Sequence, residues 1–359
     1  MGLNKRFSRL SKEATAKTDV LADLLPLISQ GEIIPVISNS FRIEQIFSEV
    51  SEGATGEGGS TITEQLTADW ASLIEYPMSD NQNLARVAQY CLEEQKDSPH
   101  ARTKYLEFLK SLLLAIASDD ADYTEVTHRL KTQIQEQQFS EIAHQLEYPR
   151  FPEGAEDPLR ILAKLPFKIY ITTSYYNFIE RALEAENKKP HAQVCFWTGE
   201  KSNAKAEHVP DQSFEPTPDQ PLVYHLYGLE DYRQTLVLSE DDYLNFLIRA
   251  TGDSNTQNPL IPFRLRHALA ESHLMLLGYR EQDWDFRILF KLISGYRSEF
   301  SPRSLLIQPS LPGTEKNEKW LGYLERYFDR RHFSLEQIDA GSFIKKLWDQ
   351  WNQYRQGQY

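Results

Sequence analysis

Cysteine is almost missing from this chain: Cys91 and Cys195 are the two in 359 residues. Each stands alone among apolar neighbours, in AQYCLEE and QVCFWTG. That excludes a disulfide framework and a zinc ribbon, and it makes the reducing cytoplasm the expected compartment. No stretch reaches the ~18 apolar residues that a membrane span needs, so a membrane is not an expected partner. Positive charge is also scarce, with 39 Lys and Arg against 52 Asp and Glu and a net charge of -13. Without a segregated basic run such a chain repels phosphates, and direct nucleic-acid binding is not expected. No paired-Cys or His-Glu-x-x-His string offers a metal site. Gly53, Gly56 and Gly58 follow no strand, and no Lys-Ser/Thr pair completes a phosphate loop. The opening 17 residues are basic and polar with no apolar core, so they read as a tail and not as a secretory signal.

What is present is a change of texture near residue 150. Before it, TDVLADLLPLISQ (18–30) reads as a helix closed by Gly31, EIIPVIS (32–38) as a short strand, and 51–61 as a soft loop. From 62 to 147 apolar residues recur at spacings of three and four, which predicts helices almost throughout. After it, short apolar runs alternate with helical patterns. The expected strands are 167–173, 193–198, 222–227, 235–238, 273–278 and 304–309. The expected helices are 176–186, 240–250, 261–271, 284–294, 316–330 and 341–354, with Ser239 and Asp242 forming a capping box. The Pro-rich segment 199–220 reads as a long exposed loop or lid. Alternation of this kind predicts an α/β fold: a Rossmann-like, mostly parallel sheet with helices on both faces and an inserted all-helical subdomain. The expected boundaries are 18–50 with 151–359 for the Rossmann domain and 62–150 for the insert. Ligands of such folds bind beyond the carboxyl ends of the strands.

Four segments occur in one order: GEIIPVISNSF, LPFKIYITTSYYNFIERAL, LVYHLYG with TLVLSEDDYLNFL, and LMLLGYREQDWDFRILF. Together they resemble the bacterial sirtuin-like family, the branch that consumes NAD in antiviral defence. The resemblance spans roughly residues 20 to 350. It implies a cofactor crevice at Ser38, Asn39, Ser40, Arg42, Thr173, Tyr176, Gly228, Gly278 and Asp283. It also implies that the chemistry is degenerate. Where the family has a Gly-Ala-Gly-x-Ser turn for the pyrophosphate, this chain has Ser38, Asn39, Ser40, Phe41 and Arg42. The plainer role of that turn is to cap a helix. Where the family has an Asn that orients ribose and water, it has Ser174, whose plainer role is also a helix cap. Asn177 lies three residues on. Where the family has a His-Gly general base it has Tyr227 before Gly228, and a phenol with a pKa near ~10 is a weak base at neutral pH. His225 stands two residues earlier and is displaced by roughly 6.6 Å. The fourth segment, Gly278, Tyr279 and Asp283-Trp284-Asp285, matches the family as it stands.

The resemblance therefore implies a non-catalytic sirtuin-like module, a sensor, scaffold or regulatory subunit of a bacterial defence assembly. No catalytic residue and no cofactor is expected, and a protein partner or a homo-oligomer is. The alternatives are an NAD hydrolase with a rearranged site using His225, Asn177 and Tyr227, or a binder of ADP-ribose or another nucleotide if the crevice is open. Trp348, Trp351 and Tyr354, at helical spacing, are expected to pack onto the sheet or else to offer a docking face.

Overall fold

The computed structural model describes residues 20–48, 60–95, 98–201, 204–252, 259–309 and 318–357. The expected tail 1–17, most of the soft loop 51–61 and its Gly53, Gly56 and Gly58 lie outside the described residues.

Seven strands form one sheet: β1 (Ile33–Ile37), β2 (Ile169–Thr172), β3 (His191–Val194), β4 (Leu222–His225), β5 (His273–Leu277), β6 (Ser304–Gln308) and β7 (Phe333–Gln337). Their order is β3-β4-β2-β1-β5-β6-β7, and every pairing is parallel. The α/β, Rossmann-like class expected from the sequence is the one found. β1 and β6 are buried at every position, as strands covered on both faces must be. The chain runs outward from β1 to β2 on one side and from β5 to β6 on the other. The strand order therefore reverses between β1 and β5, where a crevice opens beyond their carboxyl ends.

Pro35 sits in the middle of the central strand. Backbone bonds from Glu32 and Ser38 go to β5, and the Ile37 carbonyl goes to β2. Alternation puts Pro35 on the β2 side, where the pairing register begins only at Val36. The donor that Pro35 lacks is thus not asked for.

Between β1 and β2 lie the helices Ile62–Leu73, Leu84–Gln95, Ser98–Ala117, Thr124–Thr132 and Phe139–Gln145, the expected insert. A reciprocal capping box starts the first of them, with Thr61 and Glu64 as partners. The insert shares one apolar core with the sheet. Phe139 packs 6.1 Å from Phe47 and 4.9 Å from Tyr176, ring centre to ring centre. Arg102 of the insert donates to Asp242 at 2.5 Å and to the Leu236 carbonyl at 2.8 Å, both buried. The Ser239–Asp242 box is present as expected, with bonds of 3.0 and 3.2 Å.

Several expectations need correction. Residues 235–238 are not a strand. A single bond, Val237 N–H to the Tyr227 carbonyl, ties the run to its neighbour, and the run is apolar because it is buried under the insert. β3 is His191–Val194, not 193–198, because after Val194 the chain leaves the sheet with Cys195, Phe196 and Trp197 buried. The segment 199–220, where described, is no free lid. It covers the edge strand β3, with Phe214 stacked on His191 at 4.2 Å and the Asp211 carbonyl 3.4 Å from Gln193 Nε2. Helix Pro158–Lys164 and strand β7 were not anticipated. The C-terminal helix Ala340–Gly357 packs on Pro158–Lys164 and Val20–Gln30. Its Trp351 is buried, and Trp348 is half-buried with Lys164 Nζ 5.4 Å from its ring centre. Among the described residues no helix is long and apolar enough to cross a membrane.

A candidate binding crevice at the carboxyl edge of the sheet

The turn after β1 carries the first wall. Ser38 is fully buried and caps the helix Asn39–Ile46, accepting the Phe41 N–H at 3.1 Å. The same hydroxyl donates to the Gly278 carbonyl at 2.7 Å, so it bridges the ends of β1 and β5. Gly278 has φ +76, and a methyl there would lie 2.7 Å from Ser38 Oγ and 2.8 Å from Phe41 Cβ. The space between the two strand ends is therefore already filled by the serine. One of the helix N-terminal N–H groups that elsewhere point at phosphate is also in use. The helix begins at Asn39, so Asn39 and Ser40 form its first turn and face the crevice. Arg42 does not. Its guanidinium is buried in a two-pronged pair with Asp157 at 2.7 and 3.0 Å, and it also donates to Gln45.

Beyond β2, Thr173 lines the crevice and shares a hydrogen bond with the Tyr279 hydroxyl at 3.1 Å. Ser174 faces away from it. Its carbonyl meets His225 Nδ1 at 3.2 Å, and its hydroxyl accepts the Tyr176 N–H. Ser174 is not the cap of the following helix, a correction: that helix is Phe178–Ala185, and Asn177 is its N-cap residue. Asn177 Oδ1 accepts from Arg181 at 3.1 Å. Tyr176 is buried among Phe139, Phe178 and Tyr175, and its hydroxyl has no partner among the described residues. Burial pushes its phenol far above the ordinary range.

At the end of β4, His225 is fully buried, with Nε2 2.5 Å from Glu180 Oε1. Burial alone would lower its pKa. The Glu180 charge and hydrogen bond, the Ser174 carbonyl and the more distant Asp231 outweigh that and raise it. A histidine so held has both ring nitrogens occupied. Tyr227 reaches the crevice wall, but its hydroxyl donates to the Asp285 carbonyl at 2.9 Å and its ring packs against Tyr243 and Phe246. Gly228 has φ +92, and a Cβ there would meet the Thr235 carbonyl oxygen at 2.3 Å. This glycine is required by the backbone beside it.

These elements bound a cavity of about 420 Å³. Of the residues singled out in the sequence, Asn39, Ser40, Thr173, Tyr227, Asp283, Trp284 and Asp285 line it. Ser38, Arg42, Ser174, Tyr176, Asn177, His225, Gly228 and Gly278 do not. Sequence reasoning missed the opposite wall, from Thr61–Thr67 and Ser79–Ala85 of the insert, along with Tyr175, Tyr243 and Arg280. The charge of the cavity is acidic. Burial, reinforced by Asp285, pushes the Asp283 carboxyl well above the ordinary range against the pull of Arg280. Burial does the same to Asp285, against its bond from the Phe286 N–H. Arg280 is committed to Glu44 at 2.9 Å.

Residues 168–328, from the start of β2 to the helix preceding β7, match a family model described as a SIR2-like domain. That stretch is therefore sirtuin-like, as the resemblance implied. No curated protein matches the chain.

The cofactor implied by such a domain is NAD, and the residues present do not fit it. The pyrophosphate seat between β1 and β5 is filled by Ser38, the cavity beside it carries Asp283 and Asp285, and no histidine lines that cavity among the described residues.

Proposed function

We propose that this protein is a non-catalytic sirtuin-like module that neither hydrolyses NAD nor seats its pyrophosphate. The observation that carries this reading is the Ser38 bridge to Gly278, which occupies the ground that a glycine turn leaves open for phosphate. The His225–Glu180 pair supports it, because a histidine with both nitrogens bonded and no exposure offers no base to a substrate in the crevice. Such a module acts by holding a partner, another protein or a second copy, and the resemblance puts that role in a bacterial antiviral assembly as sensor, scaffold or regulatory subunit.

The test is nicotinamide release from NAD by the purified chain, followed by chromatography. No turnover above the uncatalysed background is expected, and loss of a positioned general base alone accounts for ~10²- to 10⁴-fold. Turnover that disappears in His225→Ala would overturn the reading in favour of a rearranged NAD hydrolase.

A further inference from the structure

The crevice cavity is closed to phosphate but is not featureless. Trp284 and Tyr243 are stacked with ring centres 6.1 Å apart at an interplanar angle of 24°, and both line the cavity. Asn39 and Ser40 bring an amide and a hydroxyl to it. The carboxylates divide into two kinds. Glu64 is used up by the Thr61 N–H at 2.7 Å, and Asp80 by Tyr76 and Arg86. Asp283 and Asp285, the N-cap and the second residue of the helix Trp284–Tyr296, have no cation bound to them. Asp285 accepts only its neighbour's N–H, and no donor among the described residues bonds Asp283.

We propose that this cavity binds a nucleoside-like ligand, a flat ring carrying a vicinal diol, and rejects the same ligand once it bears a phosphate. The inference rests on the reading that the phosphate seat is closed. The two aspartates supply acceptors for the two hydroxyl hydrogens of a diol, the chemistry by which acidic residues hold ribose in folds of this kind. The Trp284 and Tyr243 stack gives a ring aromatic side chains to pack against. A volume of about 420 Å³ falls within the range of small-molecule sites, roughly 300–1,000 Å³. Burial of the aspartates also has a direction that fits: paired carboxyls held above their ordinary range are relieved when a ligand hydroxyl bonds them. A phosphate in this cavity meets the like charge of the carboxylates that line it, Glu64 and Asp80 as well as Asp285, and one such charge at an effective dielectric of about 20 and ~5 Å weakens binding by ~100-fold or more.

Calorimetric titration of the full chain with adenosine, inosine and cytidine, their 2′-deoxy forms, their 5′-monophosphates and NAD tests this. At least one ribonucleoside is expected to bind. Its deoxy form should bind at least ~10-fold more weakly, for loss of a charge-assisted hydrogen bond, and its monophosphate ~100-fold more weakly. The double variant Asp283→Asn, Asp285→Asn should lose nucleoside binding while melting at the same temperature or higher, since it removes mutual repulsion. A monophosphate that binds as well as its nucleoside, a deoxynucleoside that binds as well as the ribonucleoside, or no binding by any nucleoside at millimolar concentration would overturn the inference. Silence from nucleosides with NAD also silent leaves the non-catalytic reading standing, whereas binding of NAD would overturn that reading first.

Discussion

Glu230 shows how far a single buried carboxyl can set the stability of the joint between insert and sheet. It lies just beyond Gly228, is buried, and caps the insert helix Phe139–Gln145 from outside that helix. Its oxygens accept the Phe139 N–H at 2.8 Å, the Ser140 N–H at 3.2 Å and the Ser140 hydroxyl. Burial nonetheless outweighs those donors and the charge of Lys110, and lifts its pKa from 4.5 to about 7. The folded state therefore holds a proton that the unfolded chain releases near 4.5. The stabilisation from this proton is full below 4.5 and is lost as pH rises through about 7. Between pH ~5 and ~8 the loss from this group is on the order of 2–3 kcal/mol. Glu230→Gln removes the ionisation while keeping one acceptor. The stability difference between wild type and variant should thus move on the order of 2–3 kcal/mol in the variant's favour from pH ~5 to ~8. Urea unfolding of both proteins at matched pH values measures it, and other titrating groups cancel in the difference. A difference that is flat with pH, or that moves the other way, would refute the reasoning.

Two further outcomes concern residues near the crevice that do not line it. Gly228→Ala should destabilise more than Gly278→Ala, because the new Cβ meets the Thr235 backbone at 2.3 Å in the first case and the Ser38 and Phe41 side chains at 2.7 and 2.8 Å in the second. Both have positive φ, and each should cost at least ~1–3 kcal/mol in thermal or chemical unfolding. Arg42→Ala should cost about 3 kcal/mol, because it strands Asp157 in a mostly buried pair. It should leave ligand titrations unchanged, as its guanidinium lies outside the crevice; a change in binding would put Arg42 back among the ligand-facing groups.

The sheet was legible because its strands are short apolar runs bounded by turns, and buried parallel strands carry that signature. β7 was not, since FSLEQ sits at the sheet edge with only Phe333 buried and shows no apolar run. The run 235–238 misled for the opposite reason, being apolar from burial under the insert without a ladder to join. Of the site, the turn after β1 and the Asp283-Trp284-Asp285 string could be read, because each follows a strand. The insert wall could not. Arg280 meets Glu44 across 236 positions of sequence, and nothing local in Thr61–Thr67 or Ser79–Ala85 marks them as facing the sheet. The outward turn of Arg42 was equally hidden, since its partner Asp157 lies 115 residues away.

The positions at which the resemblance assigns chemistry are not vacant here; each has another bond to make. Ser38 ties β1 to Gly278, Tyr227 ties β4 to the Asp285 carbonyl, and His225 is hydrogen-bonded to Glu180 inside the core. Gly228 and Gly278 persist for reasons of backbone shape that need no ligand. A catalytic base must be free to exchange its proton with a substrate, and a phosphate seat must be empty before the phosphate arrives. Groups already satisfied within the fold meet neither condition. Restoring a histidine at Tyr227 would leave the Asp285 carbonyl without its donor and a gap between Tyr243 and Phe246. The substitution that supplies the missing base would thus loosen the crevice wall that has to position it. For that reason the crevice is better read as a binding surface settled into its own hydrogen-bond pattern than as an active site lacking one or two side chains.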